Sequence, residues 1–287
     1  MPPAPPPVTT GSFQGVLHPQ DVTNILNLLV GGAPFCGNAL TRYPTARHAV
    51  AFPTAKPDRP AWLREMDPIP VVGLGDDADI VAVCKLASIV LMSNESVGDT
   101  EVNITNEFAE LMRDSASAEL DRGILYGGDD PEPRGLVAAA LPAPGADLGA
   151  AITAAIGSIG DAGGTATHLA ARPSVLANAR NTRDLTDGSN RLAFPDGIGA
   201  AYGLEEVGVP ELAAADILVT NKAKLWLVTR NDFQVDYSRD YAFDRDAIAV
   251  RIRGRFAVGA PDLPKALRKL TVQPAGAQTA GPRGKAA

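Results

Sequence analysis

Three features of the sequence predict an α+β chain. A short apolar run, Ile89, Val90 and Leu91, passes through a polar cluster from Ser93 to Thr100 into a long stretch of helical spacing that begins at Ile104. A second run, Ala247 to Val258, alternates strongly, with Ile248, Val250 and Ile252 on one face and Arg251, Arg253 and Arg255 on the other. Between residues 41 and 79, strand-like flanks around Val50 and Phe52 and around Ile69 and Val71 bracket a tip containing Pro53, Pro57 and Pro60. That third pattern describes a long two-stranded arm.

Taken in order, residues 1–12 are proline-rich, bury no face and are expected to be extended or disordered. His18 to Val30 has the spacing of a short amphipathic helix, begun near Asp21 and stopped by Gly31 and Gly32. The arm follows. An isolated hairpin is marginal in water, so its stability has to come from packing, and a second chain is the expected source. The long helix is predicted from about Thr100 to Arg122, about 33 Å at 1.5 Å per residue. Phe108, Leu111, Met112, Ser115, Ala116 and Glu119 fall near one stripe, and Asp99 and Glu101 place negative charge at its positive end. Gly123 is expected to end or kink it, with a turn at Gly127 and Gly128. Leu136 to Leu148 is an Ala/Pro/Gly-rich passage, and Leu148 to Ile159 a small-residue helix. Gly163 to Gly208 is glycine-rich and polar, anchored by Leu169, Val175 and Leu176. Ile217–Thr220, Lys224–Val228 and Phe233–Tyr237 are strand candidates ahead of the alternating run, and residues 271–287 form a small-residue tail.

Bulk properties narrow the function classes. The 287 residues suffice for a sizeable core, and 24 prolines, about 8% against an average of about 5%, indicate many loops and extended segments. A net charge of −7 lacks the basic excess by which proteins hold nucleic acid through counterion release. The N-terminus has no signal-peptide pattern, and no apolar run reaches membrane-spanning length. Cys36 and Cys84 lack paired spacing. His18, His48 and His168 lie in three separate regions, so no metal site is expected. Asp76, Asp77 and Asp79 follow two glycines, but no Lys-Ser/Thr accompanies them, and carboxylates repel phosphate. Ser158 in Ile156-Gly157-Ser158-Ile159-Gly160 fails the nucleophile-elbow spacing. No catalytic residue or cofactor is expected. Trp226 reads as a packing anchor, and Trp62, on the arm, as a contact between chains.

The strand, polar break and long helix, followed by Asp121, Gly127, Gly128, Pro133, Gly135 and Leu136, resemble the start of the core domain in tailed-phage major capsid proteins of the Hong Kong 97 type. Upstream, Trp62, Glu65, Ile69 and Pro70 are similar to that family's extended arm. Downstream, Phe243, Asp246, Arg251, Arg255, Ala266 and Leu267 fall at positions of its closing strands. The resemblance covers roughly Ala39 to Leu270.

It implies a capsid fold with an N-terminal arm (1–40), an extended loop or E-loop (41–80) and a peripheral domain (81–138 and 229–256) built on a spine helix. An axial domain (139–228 and 257–270) and a flexible tail (271–287) complete it. It further implies a major head protein assembling into hexamers and pentamers around double-stranded DNA, with portal and scaffolding proteins as partners and no membrane. Such a protein resides in the virion, and in the host cytoplasm during assembly. Because the family's self-scaffolding members carry a long extra N-terminal domain, a separate scaffolding protein is expected here. Lys56, Arg59, Trp62, Glu65, Arg251, Arg253 and Arg255 are the expected inter-subunit contacts. Some members weld subunits through a lysine, an asparagine and a glutamate. Here Lys56 stands for the lysine, but Asp246 and Arg253 occupy the other two positions, so no isopeptide cross-link is expected. Two alternatives remain: an encapsulin-like nanocompartment shell enclosing cargo enzyme, and a loop-rich cytosolic enzyme.

Overall fold

The computed structural model describes residues 32–54, 62–66, 69, 78–93, 104–128, 130–181, 183–184, 191–192, 194 and 196–272. The expected helix at His18–Val30, the arm tip with Lys56 and Arg59, the acidic residues Asp76 and Asp77, the helix start near Thr100 and the tail beyond 272 lie outside them. In chain order the strands are β1 (Thr41–Pro44), β2 (Ala49–Pro53), β3 (Ala78–Ala82), β4 (Cys84–Ser93), β5 (Leu141–Gly145) and β6 (His168–Ala171). They continue with β7 (Arg183–Asp184), β8 (Arg191–Leu192), β9 (Glu205–Gly208), β10 (Ile217–Thr220), β11 (Trp226–Ala242), β12 (Ala247–Gly259) and β13 (Leu267–Val272).

One sheet has the order β1-β11-β12-β4 and another the order β5-β13-β10-β6-β9, while β2-β3 and β7-β8 are two-stranded ribbons. In the four-stranded sheet β12 is central and runs antiparallel to both neighbours; β1 lies parallel to β11 at the edge. In the five-stranded sheet β6 and β10 are buried along their whole length, which suits their uninterrupted sequences HLAA and ILVT. The helix Leu148–Asp161 covers this sheet through Ala151, Ile152, Ala155 and Ile159. Its start is capped by Asp147, whose carboxylate accepts the Ala150 N–H at 2.7 Å.

A single core joins the two sheets. Leu120, Ile124 and Leu125 of the long helix pack with Phe35, Leu40, Phe233, Ile252 and Phe256, and the same cluster reaches Leu218 and Leu267. A smaller cluster seats the arm's base: Val50 and Phe52 of β2 meet Val228 and Ala257, with Phe52 stacked on Trp226 at 5.0 Å. Trp226 is therefore the packing anchor that its sequence context predicts.

Five local expectations change. The long helix, Ile104–Tyr126, runs through Gly123 and stops at Gly127. Its buried stripe is Met112, Ala116, Leu120 and Ile124, with Ser117, Asp121 and Leu125 beside it; Leu111, Ser115 and Glu119 face outward. The candidates Lys224–Val228 and Phe233–Tyr237 are one strand, β11, interrupted by register shifts. The passage after Leu136 contains the strand β5, in which Pro142 and Pro144 are tolerated because β5 is an edge strand hydrogen-bonded to β13 alone. The polar region 163–208 also contains a helix, Pro173–Arg180, with proline in its first turn.

Candidate assembly surfaces

Alternation on β12 builds the first surface. Val250, Ile252 and Phe256 are buried, which turns Arg251, Arg253 and Arg255 to the opposite face. Asp236 of β11 lies directly across from Arg251 and accepts from its Nη2 at 2.9 Å; the same Oδ2 sits 3.2 Å from Nε of Arg253. Both guanidiniums and the carboxylate are half exposed, so each pair contributes at most about 1 kcal/mol. Their role is to fix the face and its charge. On β4, the neighbour of β12, Ile89 stands opposite Arg251 and Leu91 opposite Ala249, and both are exposed. Arg255 is half-buried beside Lys85 and Arg230 in a pocket.

The arm supplies the second surface. Trp62 is 103% exposed, Met66 98% and Ile69 83%, with Glu65 also exposed between them. Ile80 on β3 adds a further exposed apolar side chain. Large apolar groups this open in one short segment make it a candidate interaction surface. Of the seven contact residues expected from sequence, Trp62 and Glu65 thus lie on the arm and the three arginines on the sheet, and Lys56 and Arg59 lie outside the described residues.

Two polar clusters, one buried and one part-buried, hold the frame that carries these surfaces. The short helix Pro34–Asn38 has Ala33 at its N-cap, which offers no side-chain acceptor. Asp121 of the long helix supplies one: its carboxylate accepts the N–H of Phe35 at 2.9 Å and of Cys36 at 3.0 Å. Burial pushes the Asp121 carboxyl above its ordinary value, and the three donors, which include the Cys36 thiol, only partly offset this. At the helix's end Tyr126 donates to Asp216 at 2.7 Å and accepts the Ala213 N–H at 2.8 Å, while Lys269 Nζ of β13 lies 2.6 Å from Asp216. Burial pushes Asp216 up, but the Lys269 ammonium and the Tyr126 hydroxyl outweigh it and hold the carboxyl below the usual range. Sequence reading quoted Asp121 only through the resemblance and missed Tyr126, Asp216 and Lys269, because partners up to 90 positions apart leave no local spacing.

Reactive side chains are engaged in structure. The Ser158 hydroxyl donates to the Ala155 carbonyl and accepts from Arg268 Nε at 2.9 Å. Cys36 is buried, and burial followed by the Asp121 charge pushes its thiol well above its ordinary value, which suppresses the nucleophilic thiolate. Among the described residues no group of three or more His, Cys, Asp or Glu is placed to hold a metal, and no helix is long and apolar enough to cross a membrane.

Residues 77–272 match the Phage capsid family. No curated relative matches the sequence. Among solved structures, a chain of Mycobacterium phage Bobi shares 19% identity over 82% of this chain and 89% of its own, with a TM-score of 0.67. A chain of Microbacterium phage Oxtober96 shares 18% over 82% and 90%, also at 0.67. The capsid of the native GTA particle is similar over 93% of this chain and 95% of its own, at 14% identity and a TM-score of 0.65. The mixed helix-and-sheet fold is that of these structures, the GTA capsid among them.

Proposed function

From the premise that the chain belongs to the phage capsid family, and so is a structural shell protein and not an enzyme, we propose that it is the major capsid protein of a phage head, forming hexamers and pentamers around double-stranded DNA. The observation that carries this finer reading is the arm: Trp62, Met66 and Ile69 are exposed in a subunit whose core is otherwise well packed. Their burial requires another molecule, and a shell made of copies of this chain provides one. Loss of water from one such side chain is worth about 1.5–3 kcal/mol, and many weak contacts per subunit add up to a strong lattice.

In this proposal residues 1–40 form the N-terminal arm, 41–80 the E-loop, 81–138 and 229–256 the peripheral domain, 139–228 and 257–270 the axial domain, and 271–287 the tail. Portal and scaffolding proteins are further partners, assembly takes place in the host cytoplasm, and Lys56, Arg59, Trp62, Glu65, Arg251, Arg253 and Arg255 are the contact residues. The shell lacks isopeptide cross-links, because Asp246 and Arg253 stand at the positions the asparagine and glutamate require. Electron micrographs and sedimentation of the expressed protein, alone and with its scaffold, test the reading. Closed shells holding DNA in infected cells support it; a monomer or dimer under all conditions refutes it. Particles filled with a cargo enzyme would replace it with a nanocompartment, and a covalent ladder on denaturing gels would refute the absence of cross-links.

A further inference from the structure

Beyond the contacts already described, the exposed face of the four-stranded sheet holds a basic pocket. Its volume is about 300 Å³, and Lys85, Arg230, Asn231, Gln234, Arg253 and Arg255 line it. Strand register assembles it. Lys85 of β4 and Asn231 of β11 flank Arg255 on one rung, and Ala87 and Gln234 flank Arg253 on the next. The register shifts between Thr229 and Asn231 and between Asn231 and Gln234 each insert one extra residue in β11, the first being Arg230. Bulges re-aim side chains, and here two of them bracket one pocket.

The charge in this pocket is uncompensated. Arg253 shares Asp236 with Arg251, and Asp232 is turned toward Arg42 at 3.9 Å while its Oδ1 accepts the Phe233 N–H. Among the described residues no carboxylate pairs with Lys85, Arg230 or Arg255. Lys85 and Arg255 stand directly opposite each other on neighbouring strands, an arrangement that destabilises a sheet unless an anion lies between them. The chain as a whole carries −7, so this is a local inversion of its field.

We propose that this pocket binds the phosphodiester backbone of nucleic acid, so that Arg253 and Arg255 face nucleic acid in place of a neighbouring subunit and Arg251 alone of the three stays on the contact between subunits. Three guanidiniums, an ammonium and two amides offer more donors than the two oxygens of one carboxylate can accept, whereas phosphate with its sugar oxygens matches the set and fills more of the volume. None of these groups is arranged on a recognition helix or ribbon in a groove, so the contact is sequence-independent. With three unpaired cations the affinity of one subunit is weak and salt-sensitive, and becomes useful where many copies face one polymer. The inference rests on the proposed head function only for the occasion on which the chain meets nucleic acid, and the test uses the unassembled full-length chain, so binding and assembly fail separately.

The test is fluorescence anisotropy of a labelled random-sequence DNA duplex titrated with the full-length chain over a salt series starting near 20 mM. The expected result is measurable binding whose log K falls against log salt with a slope of about −2 to −3. Lys85→Gln with Arg255→Gln is expected to weaken it about tenfold or more, while Arg245→Gln, exposed beyond the far end of β12 and outside the pocket, changes it less than about twofold. Lys85→Gln alone, at an exposed position, is expected to weaken DNA binding and raise the ligand-free Tm by about 2 °C through relief of repulsion, so the test survives if the double variant fails to fold. Absence of duplex binding at low salt, or binding equal in wild type and pocket variants, overturns the proposal. So does tight binding of poly-glutamate with none of DNA, which would assign the pocket to an acidic protein partner.

Discussion

Asp121 and Asp216 sit at the same end of the long helix, and their surroundings push them in opposite directions. Asp121 has only neutral donors, so burial wins and its carboxyl holds a proton to higher pH in the folded chain than in the unfolded one. Its contribution is therefore full below the ordinary carboxylate value near 3.9 and is lost as pH rises through the raised value. Asp216 has the Lys269 ammonium beside it, so its contribution is present above the ordinary value and is lost as pH falls through the depressed one. Urea unfolding between pH 4 and 7 checks the first sign: the difference between wild type and Asp121→Asn should move in favour of the variant as pH rises, and a trend the other way would contradict the burial argument. Asp121→Ala strands the buried N–H groups of Phe35 and Cys36 and is expected to cost about 3 kcal/mol near pH 4, where the carboxyl makes its full contribution, and less as pH rises. Asp216→Ala is expected to cost about 1–2 kcal/mol at pH 7 and less as pH falls through the depressed carboxyl value, which the same unfolding series extended to lower pH reads.

The long helix shows at the scale of an element what glycine means by position. At Gly123 a Cβ would meet nothing closer than Pro133 at 3.9 Å, and the backbone is helical, so Gly123→Ala should stabilise the chain by about 0.5–1 kcal/mol. At Gly127 a Cβ would run into the carbonyl oxygens of Gly123 and Pro133, so Gly127→Ala should lower stability by more than about 2 kcal/mol. Opposite signs of ΔTm from two calorimetric scans check the pair; equal signs would mean that the helix end is misread. From sequence alone both glycines looked like stops, because spacing registers the residue and not the free space around it. The alternating β12, the apolar β10 and the small-residue helix at Leu148 were legible because their signals are local. The proline-bearing β5 and the unity of β11 were not: the first depends on lying at a sheet edge, and the second on a partner strand that holds the register across bulges. The arginine face was legible as a face, yet its sorting into a paired half at Asp236 and an unpaired half at Lys85 depends on register, which spacing does not contain.

Over the whole molecule, one core joins the two sheets, and the arm is seated at its base, where Phe52 lies between Tyr43 and Trp226. The two tryptophans thus occupy opposite environments, and this gives the assembly hypothesis a built-in reporter. Trp226 is stacked and half-buried before any association, whereas Trp62 is fully exposed. Association through the arm moves Trp62 out of water and leaves Trp226 nearly where it is. A blue shift of emission is therefore expected when subunits assemble, retained in Trp226→Phe and abolished in Trp62→Phe. Trp62→Ala removes the largest exposed apolar group of the arm, and an aromatic anchor at the centre of an interface is typically worth about 2 kcal/mol or more. At a fixed subunit concentration near the assembly threshold, shell yield should then fall at least about tenfold, since each 1.4 kcal/mol is one decade in association and every subunit carries the same loss. The yield is read by sedimentation, with circular dichroism of the unassembled variant as the control for folding. If shells form normally in Trp62→Ala, and the blue shift follows Trp226 instead, the arm does not make the contact that holds the shell together, and the sheet face of Arg251 and Ile89 takes its place as the surface to test.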